Sequence, residues 1–166
     1  ELFHLPQRFF IDPAALDAAY REVQNRVHPD KFASATDTER RVAMQWATRA
    51  NEAYQTLKNP FRRAAYLCEL AGVDLQTESN TAMEPAFLMQ QMEWREALEE
   101  AKAGRDLGAL DKLEADLRSA RKQQLEQIGM LLDAGDFEAA ARDVRQLMFL
   151  EKFGDEVHAV FEQLEA

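Results

Sequence analysis

The chain has 166 residues, 46% hydrophobic and 30% charged, with 6 Gly, 5 Pro, a single Cys and a net charge of −10 at pH 7. One cysteine excludes a disulfide framework and a cysteine-only metal site. The negative balance argues against nucleic acid as a general partner, because phosphate is bound by Lys and Arg, and no apolar run approaches the length of a membrane span. The low Gly and Pro content reads as a soluble, helix-rich globular chain, and no secretory signal is visible. Charge is unevenly spread: residues 1–71 hold 10 basic and 9 acidic side chains, residues 72–166 hold 10 and 21. That asymmetry suggests two modules with different partners.

Residues 1–5 form a short apolar turn closed by Pro6. Asp12-Pro13 then opens a helix, with Asp at the N-cap and Pro at the first helical position. Leu16, Tyr20, Val23 and Val27 follow at spacings that make one buried stripe, and Arg21 and Arg26 face elsewhere. Pro29 cannot continue this helix, so His28-Pro29-Asp30 turns the chain at a corner that presents an imidazole beside a carboxylate. An exposed Asp30 at a rigid corner, flanked by Arg26 and Lys31, reads as a docking device for a partner's arginine. Thr36 or Asp37 caps the next helix, which runs to about Lys58 with Val42, Trp46, Ala50, Ala53, Tyr54 and Leu57 expected to pack on the first. Asn59-Pro60 stops it, and a shorter helix over 61–71 ends at Gly72. Cys68 lies in the apolar run 64–68 and reads as a small core residue.

The polar stretch that includes Thr77, Glu78, Ser79 and Asn80 reads as a linker over 73–81. The chain is thus divided into 1–72, the linker, and 82–166. Three amphipathic helices follow, over 83–103, 107–133 and from Asp136 onward, and their short connections predict an antiparallel three-helix bundle. The middle helix carries Leu110, Leu113, Leu117, Ala120, Gln124, Ile128 and Leu131 on one stripe. The last begins with Phe137, Ala140, Ala141, Val144 and Met148, then changes phase to Leu150, Phe153, Val157, Phe161 and Leu164, so a break or wrap is expected near Gly154. The expected fold class is all-α.

One face departs from this pattern. With Phe87 set at zero on a helical wheel, Trp94, Leu98 and Ala101 fall within about 40° and make the core stripe. Leu88, Met89 and Met92 fall roughly 100° to 200° away, where a bundle helix meets water. That far side continues into Glu93, Glu96 and Glu100. Exposed apolar clusters on small domains mark binding surfaces, and thioether side chains adapt to irregular partners. The alternative is burial against the first module. Phe149 is a candidate for the same patch, or else joins the second stripe of the last helix.

The segment Tyr20-Arg21-Glu22-Val23 followed by His28-Pro29-Asp30-Lys31, between two antiparallel helices, resembles a J domain, the module that stimulates DnaK-type chaperone ATPases. The flanking segments are similar to the HscB family of iron–sulfur cluster assembly co-chaperones. They are Leu2-Phe3-His4-Leu5-Pro6, the run from His28 to Ala33, Asn51-Glu52-Ala53-Tyr54-Gln55-Thr56-Leu57, Arg63-Ala64-Ala65-Tyr66-Leu67, Ala86-Phe87-Leu88-Met89-Gln90-Gln91, and Val144-Arg145 through Phe149-Leu150. The resemblance covers nearly the whole chain. It implies an amino-terminal J domain and a carboxy-terminal three-helix bundle that delivers the scaffold protein IscU to the chaperone HscA and stimulates its ATPase.

By matching motif, the resemblance implies a chaperone-binding set of Arg21, Arg26, His28, Pro29, Asp30 and Lys31. It implies a scaffold-binding set of Leu88, Met89, Met92, Glu93, Glu96, Glu100 and Phe149. The basic stripe is interrupted here by Asp17 and Glu22, which fits a dedicated partner. No cofactor or metal is implied, and without an amino-terminal cysteine-rich segment a bacterial cytoplasmic setting is expected.

Three other readings compete. His28 and Asp30 as an acid–base or metal pair lack a second His or Cys nearby in sequence. Nucleotide binding lacks a Gly-rich phosphate loop. A general J-domain co-chaperone delivering unfolded clients to DnaK would want a broad groove rather than a compact apolar patch edged by acids.

Overall fold

The computed structural model describes residues 2–75 and 83–166 and contains six α-helices, with no strand among the described residues. They are α1 (Pro13–Arg26), α2 (Asp37–Lys58), α3 (Pro60–Leu70), α4 (Pro85–Gly104), α5 (Leu107–Asp133) and α6 (Phe137–Glu165), with a 3₁₀ turn at Pro29–Phe32 between α1 and α2. Each start has a local cause. Asp12 accepts from the Ala14 N–H at the head of α1, and Thr36 and Glu39 form a reciprocal capping box at α2. Asn59, Asp106 and Asp136 cap α3, α5 and α6 through their side chains. Gly135 takes φ +82° between α5 and α6, a left-handed turn that a residue with a Cβ resists.

Two apolar clusters form. The smaller joins Phe3, Leu16, Val23 and Ala50, with Tyr20, Ala53, Tyr54 and Leu57 packed around them. It holds α1 against α2 as the expected hairpin. Tyr20 stacks on Tyr54 at 4.2 Å between centroids, and the Tyr54 hydroxyl donates to Asp17. Two expected members of the α2 stripe lie outside this core: Val42 and Trp46 are 45% and 46% exposed, and Ala43 is buried instead. α2 is covered mainly by α1, with α3 and the 3₁₀ turn meeting its two ends, so it buries a narrow arc that includes Ala43 and Ala50.

The larger cluster is the bundle. Trp94, Leu98 and Ala101 of α4 meet Leu110, Leu113, Leu117, Leu125, Ile128 and Leu132 of α5 and the inner face of α6. Leu125 and Leu132, absent from the expected stripe, are buried because α5 is covered by α3 as well as by α4 and α6. The same cluster takes in Ala64, Leu67 and Cys68 of α3 together with Phe9, so α3 packs on α5 and α6 as a further layer of the bundle. Val73 and Leu75 pack against it, and Arg145 of α6 donates to the Asp74 carbonyl at 2.8 Å. The rest of the expected linker, 76–81, lies outside the described residues. The expected break near Gly154 does not occur: α6 runs unbroken, and Leu147, Leu150, Phe153, Val157 and Val160 continue one buried face through it.

Candidate functional site

The first candidate surface is the corner between α1 and α2. Pro29 ends α1 and starts the 3₁₀ turn, whose N-cap is His28 itself: its Nδ1 accepts from the Asp30 N–H at 3.2 Å, and its carbonyl accepts from the Lys31 N–H at 3.0 Å. An accepting Nδ1 puts the ring proton of neutral His28 on Nε2. The Asp30 carboxylate stands 3.6 Å from the same ring and is 92% exposed, whereas the imidazole is 56% exposed. With Nδ1 already accepting, the neutral ring offers that carboxylate no donor, and the Asp30 side chain faces solvent. The far end of the corner is also tied down, because Arg40 donates twice to the Ala35 carbonyl, at 3.2 and 3.1 Å.

Arg40 was not among the expected site residues. The available signal was a long basic side chain one turn inside a helix, within reach of the carbonyls before its cap. Arg21, Arg26, Pro29 and Lys31 are all exposed around the corner, but Arg26 is engaged by Glu22 one turn earlier at 2.5 Å. The basic edge thus carries its own acidic counterweight.

The second candidate surface is the outward side of α4. Leu88, Met89 and Met92 are 44%, 63% and 65% exposed, and Phe87, Trp94, Leu98 and Ala101 turn inward. Burial of this side against the hairpin is not what the chain adopts. Glu93, Glu96 and Glu100 are exposed and continue the same side toward the end of the helix. Phe149 of α6 is 42% exposed and stays out of the α6 core. It lines a shallow groove with Gln91, Trp94, Arg95, Leu150 and Phe153. Gln91 and Arg95 sit three and seven residues after Leu88, on the same side of α4, so Phe149 flanks the apolar strip.

Arg95 is the element of this surface that the wheel did not select. It bridges α4 to α6 by pairing with Glu156 at 3.2 Å and lying over the Phe153 ring at 5.5 Å, and Phe153 in turn stacks on Trp94. Arg95 thus ties α4 to α6 in the groove that Phe149 also lines. A basic residue one step from a buried Trp was the sequence trace of it. Among the described residues, no three His, Cys, Asp or Glu side chains converge in a metal-holding arrangement, and no helix is long and apolar enough to cross a membrane.

Comparison with known proteins agrees with this architecture. The family model described as the HSCB C-terminal oligomerisation domain matches residues 83–158. The co-chaperone protein HscB homolog of Burkholderia multivorans is 61% identical over 99% of this chain and 94% of its own length. Among solved structures, chaperone HscB from Vibrio cholerae superimposes with a TM-score of 0.82 at 40% identity, covering 98% of this chain and 96% of that one. Human co-chaperone protein HscB gives a TM-score of 0.86 at 26% identity, over 95% and 79% of the two chains. With identity of this order across nearly the whole chain, and an α1–α2 hairpin and helical bundle like those of HscB, the chain belongs to the HscB family of J-domain co-chaperones.

Proposed function

We propose that this chain is a two-ended adaptor that brings the iron–sulfur scaffold IscU to the DnaK-type chaperone HscA in the bacterial cytoplasm and stimulates the ATPase of HscA without performing chemistry itself. The observation that carries the reading is the presence, in one chain, of a nearly fully exposed Asp30 on a pinned corner and of an exposed Leu88–Met89–Met92 strip on a different helical unit. An exposed carboxylate on a corner pinned through its own backbone N–H is suited to a charge-assisted pair with an arginine of the ATPase. Arg21, Arg26 and Lys31 steer the encounter toward an acidic surface.

The apolar strip buries against folded scaffold, with Phe149 extending it and Glu93, Glu96 and Glu100 adding selectivity more than affinity. Joining the two grips in one chain raises the concentration of scaffold near the ATPase. Faster hydrolysis then follows from favouring the ATPase's hydrolysis-competent conformation.

A single-turnover ATPase assay of HscA tests this, with the chain alone and with IscU added. The expected result is stimulation by the chain and a further increase with folded IscU. Equal or better coupling by an unfolded polypeptide would instead establish a general J-domain co-chaperone acting with DnaK.

A further inference from the structure

Separate stretches of chain meet where the hairpin joins the bundle. The Phe9 N–H donates to Asp133 Oδ1 at 2.7 Å, and the Phe10 N–H lies 3.5 Å from Oδ2. The Phe9 ring is 3% exposed, and the Arg63 guanidinium covers it at 4.6 Å from the centroid. Arg63 also donates to the Leu57 carbonyl at the end of α2, at 2.6 Å. Both Phe9 and Phe10 rest on Gly129 of α5: a Cβ there would lie 2.5 Å from Phe10 Cζ and collide with the Phe9 ring as well.

Two features of α5 are locally unfavourable. Glycine inside a helix costs about 1 kcal/mol relative to alanine. Gly129 does not have positive φ, so backbone freedom is not its reason. An acid as the last helical residue, as Asp133 is, opposes the helix dipole. The segment 8–10 explains both, since the missing side chain makes room for two rings and the carboxylate takes two N–H groups with Arg8 at 3.9 Å.

We infer that Gly129 and Asp133 are positioning residues that clamp the 8–10 segment onto α5 and so set the angle between the Asp30 corner and the Leu88–Phe149 face. Without the clamp the hairpin hangs from the bundle through one joint, Asn59, whose backbone is extended between α2 and α3. With it, the hairpin is held at the start of α1 and at the end of α2, and rotation about the joint is blocked. The functional consequence rests on the adaptor reading above: a fixed angle delivers scaffold and ATPase to each other in one geometry.

The test uses the full chain with nitroxides on Glu52→Cys of α2 and Glu99→Cys of α4, both exposed positions, and the wholly buried Cys68 left in place. Pulsed electron resonance reads the distance distribution between them. We expect one narrow distribution in the parent and at least a doubling of its width in Gly129→Val and in Asp133→Ala. Asp133→Asn keeps an acceptor and restores the narrow distribution. The extra HscA stimulation produced by IscU falls at least fivefold in the first two variants, while IscU affinity and stimulation by the chain alone stay within twofold.

Unchanged distance distributions in a folded Asp133→Ala variant overturn the clamp, whatever Gly129→Val does to folding. A parent chain that neither binds IscU nor stimulates HscA strikes the adaptor reading instead, and the distance widths still decide the clamp.

Discussion

The imidazole of His28 accepts the backbone N–H of Asp30, so the side chain that begins the corner also fixes the backbone from which the Asp30 carboxylate projects. Glutamine can be placed at this position but has no acceptor at the geometry of Nδ1. His28→Gln is expected to lower HscA stimulation at least about tenfold, roughly 1.4 kcal/mol. Asp30→Asn is expected to do the same by removing the charge. Because Asp30 is 92% exposed, its replacement leaves stability within about 0.5 kcal/mol. Thermal melts and IscU titrations of both variants check that only the corner has changed.

Glu22 holds Arg26 at 2.5 Å on an exposed face where both side chains are 65% accessible. Such a pair adds little stability but removes one positive charge from the approach to an acidic partner. Glu22→Gln is expected to raise the association rate with HscA about twofold at low salt, with the difference vanishing near 0.5 M salt as screening becomes complete. Stopped-flow binding at several ionic strengths measures it.

Leu88, Met92 and Phe149 are exposed and lie outside the buried core, so their truncation separates binding from folding. Each alanine variant is expected to weaken IscU binding by about 1–2 kcal/mol, roughly 5- to 30-fold, with stability nearly unchanged. Leu110→Ala, at 0% exposure in the bundle core, is the contrasting case and is expected to cost about 2–5 kcal/mol of stability. Isothermal titration and denaturant melts on the same samples provide the comparison.

Asp143 lines a cavity of about 240 Å³ with Glu84 and Arg142. Burial, and secondarily Glu84, push its carboxyl above the ordinary carboxylate range, with Arg142 opposing. A raised native pKa means the folded state prefers the protonated form. The stability it supplies is present below about pH 4 and is lost as pH rises through the native value. Asp143→Asn is therefore expected to raise the melting temperature at pH 7, with the gain shrinking toward pH 4. A pH series of melts on both proteins tests the sign.

Cys68 is completely buried between α3 and the bundle, and burial pushes its thiol from 9.0 up to about 11. Both effects withhold the reactive thiolate. Alkylation at pH 8 is expected to be at least about a hundredfold slower in native protein than in denaturant, reporting the opening of α3 from the bundle. The raised value also means that stability supplied by the neutral thiol is present below pH 9 and fades as pH rises toward 11. Timed iodoacetamide quenching followed by mass measurement gives the rate.

What could be read from the order of residues was local or periodic. Caps, prolines and helical spacing placed the six helices to within a few residues, and Pro29 required the corner. The wheel put Leu88, Met89 and Met92 on the wet side of α4 because that side depends only on which residues of the same helix must face the core. Family resemblance then supplied the roles expected of those residues.

Other features needed the fold, because each depends on a neighbour distant in sequence. Val42 and Trp46 keep helical spacing, yet only the partner helix determines how wide an arc of α2 is covered. Gly154 sits harmlessly inside α6 because the apolar face on both sides of it meets one continuous bundle. Gly129 and Asp133 look like weaknesses of α5 until Phe9 and Phe10, more than a hundred residues earlier, are seen resting on them. Periodicity within a helix reports which side turns inward. It carries no record of which distant segment comes to lie there, and that pairing is made only when the chain closes on itself.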